Sequence, residues 1–182
     1  MDEAAPALRI VRLGDVPWQE VKAQHHGDRR VSVWEKYLEW TPDRMTLYGR
    51  YDPGMLLERH GHRSDHLVHV IEGSITVGNA DGDPEVCDAG TTLILPVGAA
   101  MGPIEAGPEG AVLFEVMLGD PRAVPADPEA FVGLLAQRGV EPVPNPPIEV
   151  PPWFGERTDS DPAAAIDSDP ALRRSSSSAS DA

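Results

Sequence analysis

Prolines and glycines are frequent enough in this chain to point to many short elements separated by turns: 19 prolines and 17 glycines occur in 182 residues. Proline removes a backbone donor and clashes with the preceding helical turn, so a bundle of long helices is disfavoured and short elements joined by turns are expected. Between the breaks, apolar residues alternate with polar ones. In "MTLYGRY", Met45, Leu47, Gly49 and Tyr51 share one face and Thr46, Tyr48 and Arg50 the other, which is the period of a half-buried strand. "VSVWEKYLEW" opens as an extended segment at Val31 and Val33 and closes at the turn "TPDR", while "SITV", "GTTLILPVG" and "AVLFEVML" add further strands and "NADGDPEV" holds a Gly/Asp loop. About eight short strands at such spacing predict an all-β fold, a closed or nearly closed antiparallel barrel.

Beyond residue 120 the pattern changes. Asp127 at an N-cap, Pro128 at the first helical position, Phe131, Leu134 and Leu135 on one face and Gly139 as the stop predict one short amphipathic helix packed outside the barrel. "VEPVPNPPIEVPPWF" is too rich in proline for a sheet interior and is expected to cross the surface as extended chain anchored by Trp153 and Phe154. The Asp/Ser/Ala-rich residues 156–182 bury too little apolar area to offset their ordering entropy and read as a disordered tail. The expected division is therefore an N-terminal extension (1–30), a barrel (31–120), a helix with a proline-rich surface segment (121–155), and the tail.

A formal net charge of −15 opposes attraction to nucleic acid or anionic lipid, both polyanions, so neither is expected as a partner. The single cysteine, Cys87, forms no intrachain disulfide, fits a reducing compartment, and reads as a small packed hydrophobe. "MDEAAPALRIV" lacks a basic region followed by an apolar one, and no run of about 18 apolar residues occurs, so a soluble, cytoplasmic protein is expected.

Four of the six histidines, His60, His62, His66 and His69, fall within ten positions. On a strand, residues two apart share a face at about 6.6 Å, so His60 and His62 converge. The polar "RSD" at Arg63–Asp65 suggests a chain reversal there, and a neighbouring strand about 4.8 Å away would bring His66 to the same point. His69, at odd offset, turns away. His25 and His26 sit beside each other in a polar loop and read as surface residues. Glu58 shares the parity of His60 and His62, and a carboxylate beside imidazoles serves as ion-pair partner, orienter or proton acceptor. Spacing alone leaves ordinary strand histidines as the alternative.

The same stretch resembles the cupin superfamily. Its first motif, G-x5-H-x-H-x3,4-E-x6-G, is matched by Gly54, His60, His62, then His66 in place of Glu, and Gly73; its second, G-x5-P-x-G-x2-H-x3-N, by Gly90, Pro96, Gly98, then Met101 in place of His and Glu105 in place of Asn. The resemblance spans residues 31–118, with Ser74–Ala89 between the motifs. It implies a double-stranded β-helix (jelly-roll) barrel, often dimeric, with a metal inside one end. Here the implied ligands are His60, His62 and His66. Fe(II) is the foremost expected cofactor, with Zn, Ni, Cu or Mn as other divalent choices, while the Met101 thioether is a soft, weak donor better suited to copper(I). Three neutral imidazoles leave a divalent ion its full charge and open positions, which fits a mononuclear non-haem dioxygenase acting on an enolate- or catechol-like molecule. Glu58 or Glu105 would be the base, and Met101 with Tyr51 would line the substrate pocket. Two other functions fit the resemblance: a non-catalytic small-molecule sensor, and a metal-dependent isomerase or lyase on a sugar-like compound. A homodimer is expected, with "VSVWEKYLEW" supplying the contact.

Overall fold

A computed structural model of the chain describes residues 7–79 and 82–152. Among these residues lie β1 (Gln19–His26), β2 (Arg29–Thr41), β3 (Arg44–Tyr51), β4 (Leu56–Leu57), β5 (His60–Asn79), β6 (Gly82–Asp88), β7 (Thr92–Leu95), β8 (Ala100–Met101), β9 (Ile104–Pro125), α1 (Pro128–Arg138) and β10 (Val140–Val143). The strands form one antiparallel sheet in the order β10-β1-β2-β3-β9-β5-β6, with β4 on β9 and β7 and β8 on β5. The expected all-β antiparallel architecture with one short helix is what forms. Residues 156–182, read as a disordered tail, lie outside the described residues, as do Trp153 and Phe154.

The two long strands make the frame. β5 and β9 pair from His60↔Pro125 to Val77↔Ile104 with three register shifts, and such irregularities bend and twist a ladder so that it coils round a core. Residues of alternate parity on β5 (His62, Ser64, His66, Val68, Val70) are buried, while Asp65 and Leu67 are exposed. The expected reversal at Arg63–Asp65 is therefore absent: β5 runs straight through. Arg63–Asp65 keeps strict alternation, with Ser64 inward and Asp65 outward, where its carboxylate accepts a hydrogen bond from Val97 N at 2.9 Å. A turn reverses the chain only where the ladder ends, and here Arg63, Ser64 and Asp65 pair with Asp120, Gly119 and Leu118.

Other segments are more regular than their composition suggests. Gln19–His26 is a strand between β2 and β10. Gly82–Asp88 pairs with β5, although "NADGDPEV" up to Val86 reads as a Gly/Asp loop. Val140–Val143 begins the proline-rich segment as an edge strand, where Pro142 needs no partner on its outer side. Cys87 is buried, 5% exposed, in the main apolar core with Met55, Val70, Ile75, Ile104 and Leu113. Gly73 is required at its position: its φ is 68°, and a Cβ would lie 2.0 Å from Gly110 O.

The helix forms as its capping residues dictate. Asp127 accepts from Ala130 N at 3.0 Å and Gly139 closes the C-terminus with φ 64°. Leu135 packs with Phe131 against Leu56 and Val140, holding the helix on the outside of the sheet. No helix among the described residues is long and apolar enough to cross a membrane.

Candidate functional site

His60, His62 and His66 occupy positions one, three and seven of β5. On a flat strand, residues four apart lie about 13 Å from one another, yet the His62 and His66 rings are 4.6 Å apart between centroids, and the His60 and His62 rings 5.3 Å. The ladder of β5 on β9 shifts register between His62 and Arg63, and the rings stand close across that irregularity. Gly61 permits the H-G-H step to lie tight against β8, since a Cβ there would meet Ala99 O at 2.8 Å. The three imidazoles thus meet on one face of one strand.

Each ring is held through one nitrogen. His60 Nδ1 is 2.8 Å from the carbonyl of Glu58, and His62 Nδ1 is 2.9 Å from the carbonyl of Pro121. A carbonyl only accepts, so both Nδ1 atoms carry the proton and both Nε2 atoms keep a lone pair. The Pro121 carbonyl is available because β9 bulges there: His62 pairs with Ala123 and Arg63 with Asp120, which leaves Pro121 and Arg122 out of register. His66 Nε2 donates to Glu115 Oε2 at 2.9 Å, with the two side chains 2% and 7% exposed, so its lone pair sits on Nδ1. His62 Nε2 and His66 Nδ1 are buried and make no hydrogen bond, and the Ser64 hydroxyl between them on the same face is also buried without a partner.

Buried polar atoms normally find partners, so two imidazole lone pairs and a hydroxyl left bare on one face point to an absent ligand. Imidazoles fixed by carbonyls and a carboxylate on the far nitrogen are what a divalent transition metal selects. The donor chemistry therefore fits a metal held by His60 Nε2, His62 Nε2 and His66 Nδ1. As placed, no group of three or more His, Cys, Asp or Glu side chains among the described residues could hold a metal ion, so these rings would have to turn about their side-chain torsions to converge on one.

At His60 and His62 electrostatics agree with neutral rings. Burial, then the neighbouring His66 and His60, lowers the His62 imidazole to about 4, and burial lowers His60 too. Burial works to raise the Glu115 carboxyl, but the hydrogen bond from His66 and the imidazole charges bring it below its ordinary range.

Beside the imidazoles opens a cavity of about 320 Å³, lined by His60 and His62 together with Glu35, Tyr37, Tyr51 and Glu115. Its remaining wall is mostly apolar, including Val33, Trp40, Met45 and Met117, with Ile148 from the proline-rich segment at the rim. Tyr51 lines it while Tyr48, of opposite parity, packs on Phe114 at 5.3 Å outside. Met101 is buried, 8% exposed, opposite His60 in the ladder, and belongs to the apolar core rather than the cavity wall. Glu58 lines the cavity and pairs with Lys22 Nζ at 3.3 Å. Glu105 lies on β9 and pairs with Arg138 of α1 at 2.9 Å, away from the cavity wall. His69 turns outward to Thr92 Oγ1 at 2.8 Å, and His26 sits beside Gln24 Oε1 at 3.3 Å, apart from the cluster.

Glu35, Tyr37 and Glu115 have no place in the sequence-based list. Tyr37 Oη donates to Glu35 Oε2. Burial pushes the Glu35 carboxyl up to about 7, Tyr37 opposing and the Glu115 charge adding to the rise. Burial likewise pushes the Tyr37 and Tyr51 phenols up. A signal existed: Glu115 follows Ala111 and Leu113 on the apolar parity of β9, and Glu35 follows Val31 and Val33 on that of β2.

No protein-family model matches the chain, and no curated protein matches it in sequence. Solved structures do match. A protein provisionally described as an acetylacetone dioxygenase, from Methylibium petroleiphilum, superposes with a TM-score of 0.56 at 15% identity over 80% of this chain and 92% of its own. An RmlC-like cupin from Shewanella frigidimarina gives 0.49 at 20% identity over 69% and 96%. The polyketide cyclase RemF from Streptomyces resistomycificus gives 0.48 at 18% over 92% and 97%. At these identities the likeness carries the fold and nothing of the chemistry.

Proposed function

We propose that this antiparallel β fold is a metal-dependent enzyme of the non-haem dioxygenase type, acting on a small enolate- or catechol-like molecule. His60, His62 and His66 would hold one divalent ion, Fe(II) foremost. The observation that supports this is the pair of buried lone pairs on His62 Nε2 and His66 Nδ1, each in a ring whose other nitrogen is anchored. When bound, the ion supplies a Lewis-acidic centre with positions left for oxygen donors. The chain supplies the rest. Glu115 fixes the tautomer of His66, the carbonyls of Glu58 and Pro121 fix His60 and His62, and the largely apolar wall lines the space beside them.

A second reading, a metal-dependent isomerase or lyase working by proton transfer, is favoured by Glu35, a cavity carboxyl whose midpoint near 7 suits a general base. One experiment separates the two. Protein loaded with Fe(II) without oxygen is offered β-diketones, catechols and hydroxy acids, and oxygen uptake is followed alongside solvent deuterium entering the substrate. Substrate-dependent oxygen uptake is the expected result. Deuterium entry with no uptake selects proton transfer, and failure to take up any metal leaves a non-catalytic binding module.

A further inference from the structure

Three carboxylates line the cavity, and two are already committed: Glu58 to Lys22 and Glu115 to His66. Glu35 differs. Its carboxylate takes a hydrogen bond from Tyr37, and the charge that acts on it is another carboxylate, Glu115.

We propose that Glu35 is the proton acceptor of this cavity, taking up the proton that an enolisable molecule loses when it binds there, with Tyr37 holding the accepting carboxylate in place. The proposal rests on the reading of the cavity as a site for such molecules. In the step, a C–H bond flanked by carbonyl carbon breaks, its electron pair delocalises onto the carbonyl oxygen to give the enolate, and the proton forms an O–H bond on Glu35. Net charge in the cavity is unchanged, because the new anion replaces the one that Glu35 gives up. A carboxyl with a midpoint near 7 accepts and returns a proton with little penalty. Tyr37, Tyr51, Glu58, Glu115, Arg122, Lys22, His60 and His62 are the other titratable or charged groups of the cavity lining.

Acetylacetone binding to the full chain loaded with redox-inert Zn(II) tests this without turnover. Enolate formation is read by ultraviolet absorption, and proton release by calorimetry in two buffers of different ionisation enthalpy at mildly alkaline pH. The wild type is expected to release almost no proton per enolate bound, Glu35→Gln to release one, Glu35→Asp to restore uptake, and Glu105→Gln, in an exposed pair away from the cavity, to behave as the wild type. Equal release by wild type and Glu35→Gln, with the enolate band present in both, overturns the role of Glu35 and leaves the proposed function standing. Release by Glu58→Gln alone transfers the role to Glu58. Absence of the enolate band in the Zn(II)-loaded wild type removes the substrate class, and the role of Glu35 with it. Should Glu35→Gln fail to fold, the wild type decides: its proton count is expected to fall from one to none as pH rises through neutrality, and a flat count overturns the proposal.

Discussion

The interior of this barrel has two halves built from the same strands on the same faces. On β5 the inward residues from Val68 through Val77 are apolar, and they meet Ile104, Ala106, Ala111 and Leu113 of β9. Toward the other end the same faces carry His60, His62, Ser64 and His66 on β5 and Glu115 on β9. β2 repeats the change, with Val31 and Val33 giving way to Glu35 and Tyr37. Burying apolar surface stabilises by about 25 cal/mol per Å², whereas a buried polar group without a partner costs about 1–3 kcal/mol. The first half accounts for why the chain folds. The second carries buried polar groups at an expense to stability, as the proposed function would require.

If that division is real, substitutions in the two halves must fail in different ways. The largest effect is expected at Leu113, 2% exposed in the apolar half: Leu113→Ala should cost about 2–5 kcal/mol in denaturant unfolding while leaving metal bound per folded molecule unchanged. Parallel loss of metal would dissolve the distinction.

Glu35 should behave in the opposite sense. Its folded midpoint of about 7 lies above the ordinary 4.5, so as pH rises the unfolded chain gives up this proton first and the native state loses stability between those values. Glu35→Gln should therefore match the wild type near pH 4.5 and exceed it by roughly 3 kcal/mol above neutrality. Thermal melts across that range check it, and parallel curves would show that Glu35 is not held uncharged.

At Glu115 the consequence falls on the metal. Glu115→Gln weakens the anchor on His66 Nε2 and should lower affinity for Zn(II) by about 10–100-fold, measured by competition with a chelator. The smallest effect belongs outside both halves: Glu105→Gln breaks an exposed pair with Arg138 and should change stability by less than about 1 kcal/mol, with metal affinity untouched.

The same contrast explains what was legible in the sequence. In the apolar half, period-two patterning marks the strands, and the cap residues Asp127 and Gly139 mark the helix. In the polar half the pattern fails, because residues facing inward are polar as well: around Arg63–Asp65 both faces read as hydrophilic, and an uninterrupted strand looks like a turn. The His62 ring nonetheless stands 5.3 Å from that of His60 and 4.6 Å from that of His66, along one strand instead of across a hairpin. Glu35 and Glu115 stand at inward positions of otherwise apolar strands. That parity violation is visible in the sequence, but only the fold brings the two carboxylates into one cavity.

The central claim is that three imidazoles of β5 share one ion. Crystals of the full chain soaked in Co(II), with anomalous diffraction collected at the cobalt edge, test it most directly. The account predicts a single strong peak within bonding distance of His60 Nε2, His62 Nε2 and His66 Nδ1, which vanishes in His60→Ala/His62→Ala. A peak held by other residues, or the same peak in the double variant, would contradict it.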